Sequence, residues 1–423
     1  MSKKKNILIF AHYYYPDVAS TGQILQDLAE GIRKEFNVTV ICTVPSYEGT
    51  VAEEYKHRKG CFVENINGVR VIRVPVCEFT KSNKLSRVRN ILSYFFGAIS
   101  VCRKCGRQDY IFTISQPPVM GGLLGVIGKY LKRAKFIYNI QDYNPEQIIA
   151  VGYFKFKPLL KLMLMLDKFS CRQSDLVITV GRDLVDTLNN RFHGKNVPKC
   201  VMINNWIDER SIYPLPKDNE GVKQFRQKCE LTDKFVIMYS GNIGLYYDLQ
   251  NLIKVIGEFD GAKTPDGREV VFVFVGAGSL LGDLTNYIIK NKLTNVKFIP
   301  YQDKDKLIYS LNAADVHWCV NAEGIKGVSC PSKFYGIAAC AKPVLGVLEK
   351  DTEIRSIMEE TGCGKVCEPG DYKGVSDNIR WFIDHAASET ELVNMGQRGY
   401  EYLIKNMTKD ISIDKYIEAI KNI

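Results

Sequence analysis

Nothing in this chain of 423 residues is apolar for long enough to cross a bilayer. A spanning helix needs ~18 residues, and the nearest stretch, Ile91 to Cys102, contains Ser93 and is flanked by arginines. A secretion signal is not expected either. The basic start, Met1 to Lys5, runs into a short predicted strand, Asn6 to Ala11, and then into polar sequence without a small-residue cleavage site. No zinc-finger, RNP or helix-turn-helix signature accompanies the net charge of +10, so a nucleic-acid partner is not expected. Short-period repeats, heptads and low-complexity tracts are missing too, which removes solenoids and coiled coils. Cysteine is plentiful, 13 in all, but the number is odd and the residues are scattered over predicted strands and helices. Cys102 and Cys105 make the only C-x-x-C and have no second pair, so reduced cytosolic thiols are expected in place of disulfides or zinc.

Acid is scarce in one half only. Residues 1–210 carry 31 Lys+Arg against 18 Asp+Glu, whereas residues 211–423 carry 26 against 29. The excess concentrates at Lys81, Lys84, Arg87, Arg89, Arg103, Lys104 and Arg107, which bracket Ile91, Leu92, Tyr94, Phe95, Phe96 and Ile99. A second basic-apolar stretch runs from Tyr153 through Lys155, Lys157 and Lys161 to Leu166. Apolar side chains beside cations suit an element lying in a membrane interface, with its charges at anionic headgroups. The other reading of both stretches is ordinary core helices with solvated charges.

Hydrophobic content of 46% and mean hydropathy of −0.13 describe a globular chain, and its length suits two α/β domains of roughly 200 residues each. Short β-rich runs alternate with helical stretches, which predicts parallel sheets covered on both faces. Strands are expected at 7–10, 38–43, 69–74, 110–114, 136–140, 176–180 and 201–204. After a linker at Tyr213-Pro214-Leu215-Pro216 the pattern restarts at 235–239, 270–275, 296–299, 316–320, 344–347 and 364–367. The expected domains are residues 1–209, joined by 406–423, and residues 210–405. Ligands of such sheets bind beyond the carboxyl ends of the strands, so a cleft between two facing domains is the expected site.

The strand ends carry the informative loops. The first strand runs out through His12 and Asp17 to Ser20-Thr21-Gly22-Gln23; the first strand of the second half ends at Ser240-Gly241-Asn242-Ile243-Gly244, and the next at Gly276-Ala277-Gly278. Glycine there permits positive φ and close approach of a ligand, although a tight turn needs it as well. Further on, Val328-Ser329-Cys330-Pro331-Ser332-Lys333-Phe334-Tyr335-Gly336 opens a predicted helix, whose first backbone N–H groups and the Lys333 ammonium would favour a phosphate. An ordinary capped helix is the plainer reading of Pro-Ser-Lys taken alone.

With Gln141-Asp142-Tyr143-Asn144-Pro145-Glu146 and Asn205-Trp206-Ile207-Asp208, these segments resemble glycosyltransferase family four, in the branch that builds bacterial surface polysaccharides and includes the L-fucosamine transferases. The resemblance extends from about residue 7 to residue 370. It implies an α/β GT-B fold, two Rossmann-like doubly wound domains facing across a cleft, with a last helix, 411–423, returning to the first domain. It also implies a nucleotide-sugar donor, expected to be UDP-linked, held by Gly241, Asn242, Gly244, Gly276, Gly278, Ser332, Lys333, Tyr335 and Gly336, with Gly22 contributing from the first domain. The acceptor implied is a polyprenyl-diphosphate-linked saccharide, met at an anionic membrane surface on the cytoplasmic face of the inner membrane. The sequence departs from the broader family where two donor-loop glutamates are usual: Val328 and Gly336 stand there. Asn242 and Tyr247 likewise stand where arginine and lysine are usual, so Lys333, with Lys326, is left to meet the diphosphate. The Ser-Lys-x-Tyr-Gly pattern itself resembles the surface-polysaccharide branch.

For the acceptor hydroxyl the first candidate is Asp142, a carboxylate at a strand end, with Glu146 second; both also fit an Asx-turn or helix cap before Pro145. Lys333 is assigned to the leaving phosphate. His12, Asp17 and Asn205 carry less weight, and Glu323 or Glu353 is a candidate for the missing acid. No D-x-D precedes a strand where a metal site would need it, and Asp303-Lys304-Asp305 reads as a helix cap, so a metal-independent transferase without a cofactor is expected. A GT-B sugar-nucleotide 2-epimerase and an inert nucleotide-sugar-binding subunit are the alternatives; a phosphorylase would need a lysine-bound pyridoxal group for which the sequence offers no support.

Overall fold

The structure, a computed structural model, describes the chain except residues 1–3, 18–19, 57–59, 81–82, 151, 153 and 155. Lys81, Tyr153 and Lys155 of the basic-apolar stretches, and Val18-Ala19 ahead of the first loop, therefore lie outside the described residues. Two compact units form: Met1–Asn204 together with Asp410–Ile423, and Asn205–Lys409.

The first unit is built on eight strands: β1 (Lys5–Phe10), β2 (Phe36–Thr43), β3 (Phe62–Ile66), β4 (Val69–Val74), β5 (Tyr110–Ile114), β6 (Lys135–Ile140), β7 (Leu176–Thr179) and β8 (Cys200–Met202). Their order is β3-β4-β2-β1-β5-β6-β7-β8, parallel throughout except for β3. Ile7, Leu8 and Ile9 have no exposed surface, because a central parallel strand is covered on both faces, which favours a near-continuous apolar run. β3 was not expected. It pairs antiparallel with β4 through a hairpin at Asn67-Gly68, whose φ values of 49° and 82° are those a two-residue hairpin turn requires. Its alternation of half-buried and exposed residues fits an edge strand with one face packed.

Side chains alternate across the sheet and separate two layers of helices. Tyr138 of β6 donates its hydroxyl to Asp167 Oδ1 on the helix Lys157–Gln173 at 2.6 Å. The next residue, Asn139, points the other way and donates to Tyr416 Oη on the helix Lys409–Lys421 at 2.9 Å. That last helix, as the sequence predicts, returns to the first unit. Ion pairs Lys34–Asp414 at 2.5 Å and Lys421–Glu35 at 2.7 Å hold it, and Ile413 packs so close to Gly31 that a Cβ there would lie 2.4 Å from Ile413 Cδ1. On the Asp167 side, the helix Met120–Lys132 lies between Lys84–Lys104 and Lys157–Gln173 and touches both.

The second unit has six parallel strands: β9 (Lys234–Ser240), β10 (Glu269–Val275), β11 (Val296–Ile299), β12 (Val316–Val320), β13 (Val344–Val347) and β14 (Gly364–Cys367). Their order is β11-β10-β9-β12-β13-β14, the doubly wound arrangement in which chain direction across the sheet reverses between the first and fourth strands. In the first unit the corresponding reversal lies between β1 and β5. The Asp303 segment is not a side-chain cap: the helix Leu307–Asn312 begins after Lys306, and no side chain bonds its first N–H groups.

Candidate functional sites

The loops leaving β1, β5 and β6 surround a pocket of about 280 Å3 in the first unit. Thr21 donates to Gln116 Oε1 at 2.8 Å, joining the β1 and β5 loops. Ser115 Oγ accepts from the backbone N–H groups of Gln141 (3.1 Å) and Asp142 (3.3 Å), joining the β5 and β6 loops. Asp142 is thereby fixed in the pocket wall, half-buried, opposite Arg87, Asn90 and Ile91 of the helix Lys84–Lys104. Gly22 sits beside the wall, where a Cβ would come within 3.2 Å of the Tyr13 carbonyl oxygen. Asp17 does not reach the pocket lining; its carboxylate accepts from the backbone N–H groups of Ser46 and Tyr47.

His12, in the same lining, is 6% exposed and lies 3.3 Å from Asn90 Oδ1 through its Nε2. Asn90 donates its own amide N–H to the Cys77 carbonyl at 2.7 Å, so its oxygen faces the ring and Nε2 carries the proton. Burial pushes His12 down to about 4, against a weaker upward effect of Asn90, and the ring is neutral at physiological pH.

Glu146 is engaged in an ion pair. Arg191 grips it with a fork, Nε to Oε1 at 2.7 Å and Nη2 to Oε2 at 2.5 Å. The same guanidinium donates to Asp167 Oδ2 at 2.5 Å and to the Asn144 carbonyl at 3.0 Å, and it lies 4.2 Å from the Tyr143 ring centroid. With both oxygens engaged by a buried cation, Glu146 anchors the loop that presents Asp142.

In the second unit the loop after β9 meets the loop after β10. Gly241 N–H donates to the Val275 carbonyl and Ile243 N–H to the Ala277 carbonyl, each at 2.9 Å. A Cβ on Gly276 would fall 2.0 Å from the Gly241 oxygen, and one on Gly278 would fall 2.1 Å from the Ile243 oxygen. Those two glycines are thus required by contact between the loops. Gly241, at φ +138°, has the Lys333 side chain above it, with Cε 2.9 Å from a would-be Cβ. Gly244 packs against the side chain of Asn242, which is itself exposed.

Lys333 extends from the first residue of the helix Lys333–Ala339, and its ammonium lies 3.5 Å from the Tyr247 ring centroid and 5.0 Å from that of Tyr239. The cation therefore occupies the carboxyl end of β9 on an aromatic seat. Ser332 precedes it, exposed, without a side-chain cap bond. Tyr335 and Gly336 face elsewhere. Tyr335 is 1% exposed within an apolar cluster and its hydroxyl meets the Asn205 backbone; burial raises its pKa well above the usual range. Gly336 contacts Ile207 and Leu311. Of the acids considered as replacements, Glu323 is exposed and Glu353 is buried at the start of the helix Glu353–Thr361. Lys326 pairs with Asp351 at 3.2 Å.

The residues that sequence reasoning missed are Tyr239, Tyr247 as a cation seat, Asn90 and Arg191. Tyr239 reads as one more apolar strand residue, and Asn90 and Arg191 as solvated polar positions on helices; only the fold shows what they touch.

Residues 21–206 match the family described as "Glycosyl transferase 4-like domain", and residues 222–402 match "Glycosyl transferases group 1". The chain carries both domains of a GT-B glycosyltransferase. It is similar over its length to the probable glycosyltransferase WbjE of Pseudomonas aeruginosa, at 24% identity covering 98% of this chain and 97% of that one. The putative colanic acid biosynthesis glycosyl transferase WcaI of Escherichia coli K12 is 23% identical, covering 88% and 91%. Among solved structures, the sucrose-phosphate synthase of Thermosynechococcus elongatus superposes with a TM-score of 0.75 at 13% identity, covering 99% of both chains. Anabaena HepE in complex with UDP and glucose gives 0.71 at 14%, covering 99% of this chain and 100% of that one.

Proposed function

We propose that this glycosyltransferase moves a sugar from a UDP-linked donor to a polyprenyl-diphosphate-linked saccharide in the assembly of a bacterial surface polysaccharide. The observation that carries the donor half is the Lys333 ammonium poised above Gly241 at the reversal point of the second sheet, where a doubly wound domain takes its ligand. The unit Asn205–Lys409 is accordingly the donor side, and the unit containing the Asp142 pocket the acceptor side. HepE's complexes with UDP and the naming of WcaI for colanic acid support the same reading.

In the reaction the acceptor oxygen forms a bond to the anomeric carbon as the bond from that carbon to the β-phosphate oxygen breaks. Positive charge grows on the sugar and negative charge on the departing diphosphate. Lys333, released from its aromatic seat, meets that charge without a metal, and backbone N–H groups of the glycine loops share it. Asp142 orients the acceptor hydroxyl and takes its proton, with Ser115 fixing the backbone beneath it. The Pro331–Gly336 pattern makes an N-acetylated fucosamine nucleotide the first donor to try. Incubation with a panel of nucleotide sugars, with and without a lipid-linked acceptor and with EDTA present, tests the proposal. Free nucleotide released in step with a glycosylated lipid is expected; an isomerised sugar nucleotide would make the protein an epimerase, and binding without turnover an inert subunit.

A further inference from the structure

The amino ends of β9, β10 and β12 open on a second pocket, of about 500 Å3, at the edge of the sheet opposite the glycine loops. β9 is seven residues long, which sets the two edges about 20 Å apart. One carboxylate, Asp315, stands at the centre with its side chain 9% exposed. Its Oδ2 accepts from the Val236 N–H at 2.9 Å, and three cations converge on it: Arg226 at 3.6 Å, Lys217 at 3.9 Å and Arg268 at 4.0 Å. A fourth, Lys342, lines the same pocket, and Lys223 stands at its rim; the remaining acid of the lining, Asp233, is exposed. Burial pushes the Lys342 ammonium down, Asp315 raises it, and Lys217 and Arg226 lower it again.

With Asp266 beside Arg268 counted, two carboxylates stand against the four cations, so like charges remain close together in a partly enclosed space, where their repulsion is poorly screened. The two arginines cannot turn away. Arg226 donates to the carbonyls of Ala313 (2.5 Å) and Lys234 (2.6 Å), and Arg268 to that of Ala386 at 2.9 Å and to Asp266 at 2.8 Å. They form a fixed positive wall, while the lysines are mobile point charges of the kind that fits phosphate. We propose that this pocket binds a phosphate-class anion, a monophosphate or diphosphate group, at a site separate from the donor's.

The test uses the full chain and its Lys333→Ala variant, in which the donor site is weakened, with pyrophosphate and UDP as probes in calorimetry and thermal melting. Pyrophosphate is expected to bind both proteins and to raise their melting temperatures beyond the effect of chloride at equal ionic strength. The Lys217→Glu/Lys223→Glu double variant, altered only at the pocket mouth, is expected to weaken pyrophosphate at least tenfold while leaving UDP binding at the donor site unchanged. Lys342→Gln should do the same; if it fails to fold, the double variant still decides. In Lys333→Ala, UDP binding that the Lys217→Glu/Lys223→Glu change weakens together with pyrophosphate would mark a nucleotide as the occupant, and weakening of pyrophosphate alone a bare phosphate group, either of which supports the site. Pyrophosphate binding that vanishes in Lys333→Ala, or that survives unchanged in the double variant, overturns the proposal.

Discussion

At the scale of single residues, the proposed reaction divides between Lys333 and Asp142. Lys333→Ala is expected to remove the proposed charge-assisted bond to the donor diphosphate, a loss of about 1.5–3 kcal/mol, which is roughly tenfold to a hundredfold in affinity. Calorimetric titration with the nucleotide sugar measures it, and unaltered binding by a folded variant rejects the assignment. Asp142→Asn is expected to abolish transfer while donor affinity stays within about twofold, because its pocket lies in the other unit. The buried histidines set a pH dependence. Both His12 and His317 are pushed down to about 4 by burial, and an unfolded histidine titrates near 6.5. Between those values the unfolded chain binds protons that the folded one refuses, so stability is complete above pH 6.5 and falls as pH drops towards 4. Each ring contributes on the order of 3 kcal/mol across that window, and denaturant melts of His12→Gln should show a shallower acid slope.

Elements explain which parts of this arrangement could be read in advance. Loops at the ends of β1, β9 and β10 were legible because glycine and a break in apolar pattern coincide at a strand end. β3 falls outside the helix-strand alternation that predicts the other strands, although Asn67-Gly68 between alternating residues is a strong hairpin signal. Tyr335 and Glu146 show the converse limit. A motif assigns both to the site, but packing alone decides that Tyr335 belongs to the core and that Glu146 spends both oxygens on Arg191. Arg191 also ties the Asp142 loop to the helix Lys157–Gln173 through Asp167. Arg191→Ala would leave two carboxylates without their buried cation, which costs about 3–5 kcal/mol. Beyond lost stability, the loosened loop is expected to raise KM for the acceptor several-fold with donor affinity retained, and a variant that only melts earlier would restrict Arg191 to stability.

For the whole molecule, the proposed lipid-linked acceptor calls for a surface that can meet a membrane. No helix among the described residues is long and apolar enough to cross a bilayer. Instead the layer of Lys84–Lys104, Met120–Lys132 and Lys157–Gln173 turns outward Leu85, Leu92, Phe96, Leu162, Met165 and Phe169, all exposed. Along the first helix Leu85, Val88, Leu92 and Phe96 recur at helical spacing, so they form one apolar stripe. The three helices contain a single acid, Asp167, which is buried against Arg191, whereas lysines and arginines are frequent in all of them. An apolar stripe among cations that outnumber acids is the composition expected of a surface that lies on anionic lipid, and Arg87 and Asn90 carry the same helix into the Asp142 pocket. Each cation near the surface contributes about 1 kcal/mol, and the contribution falls as salt is added. Flotation with anionic vesicles at low salt is therefore expected to recover the protein, and neutral vesicles to recover much less. Replacing Arg89, Arg103, Lys104 and Lys161, all exposed and outside the pocket, with glutamine should abolish the difference. Equal recovery on both kinds of vesicle, or no change in the quadruple variant, would return the three helices to ordinary packing and leave the acceptor to be sought in solution.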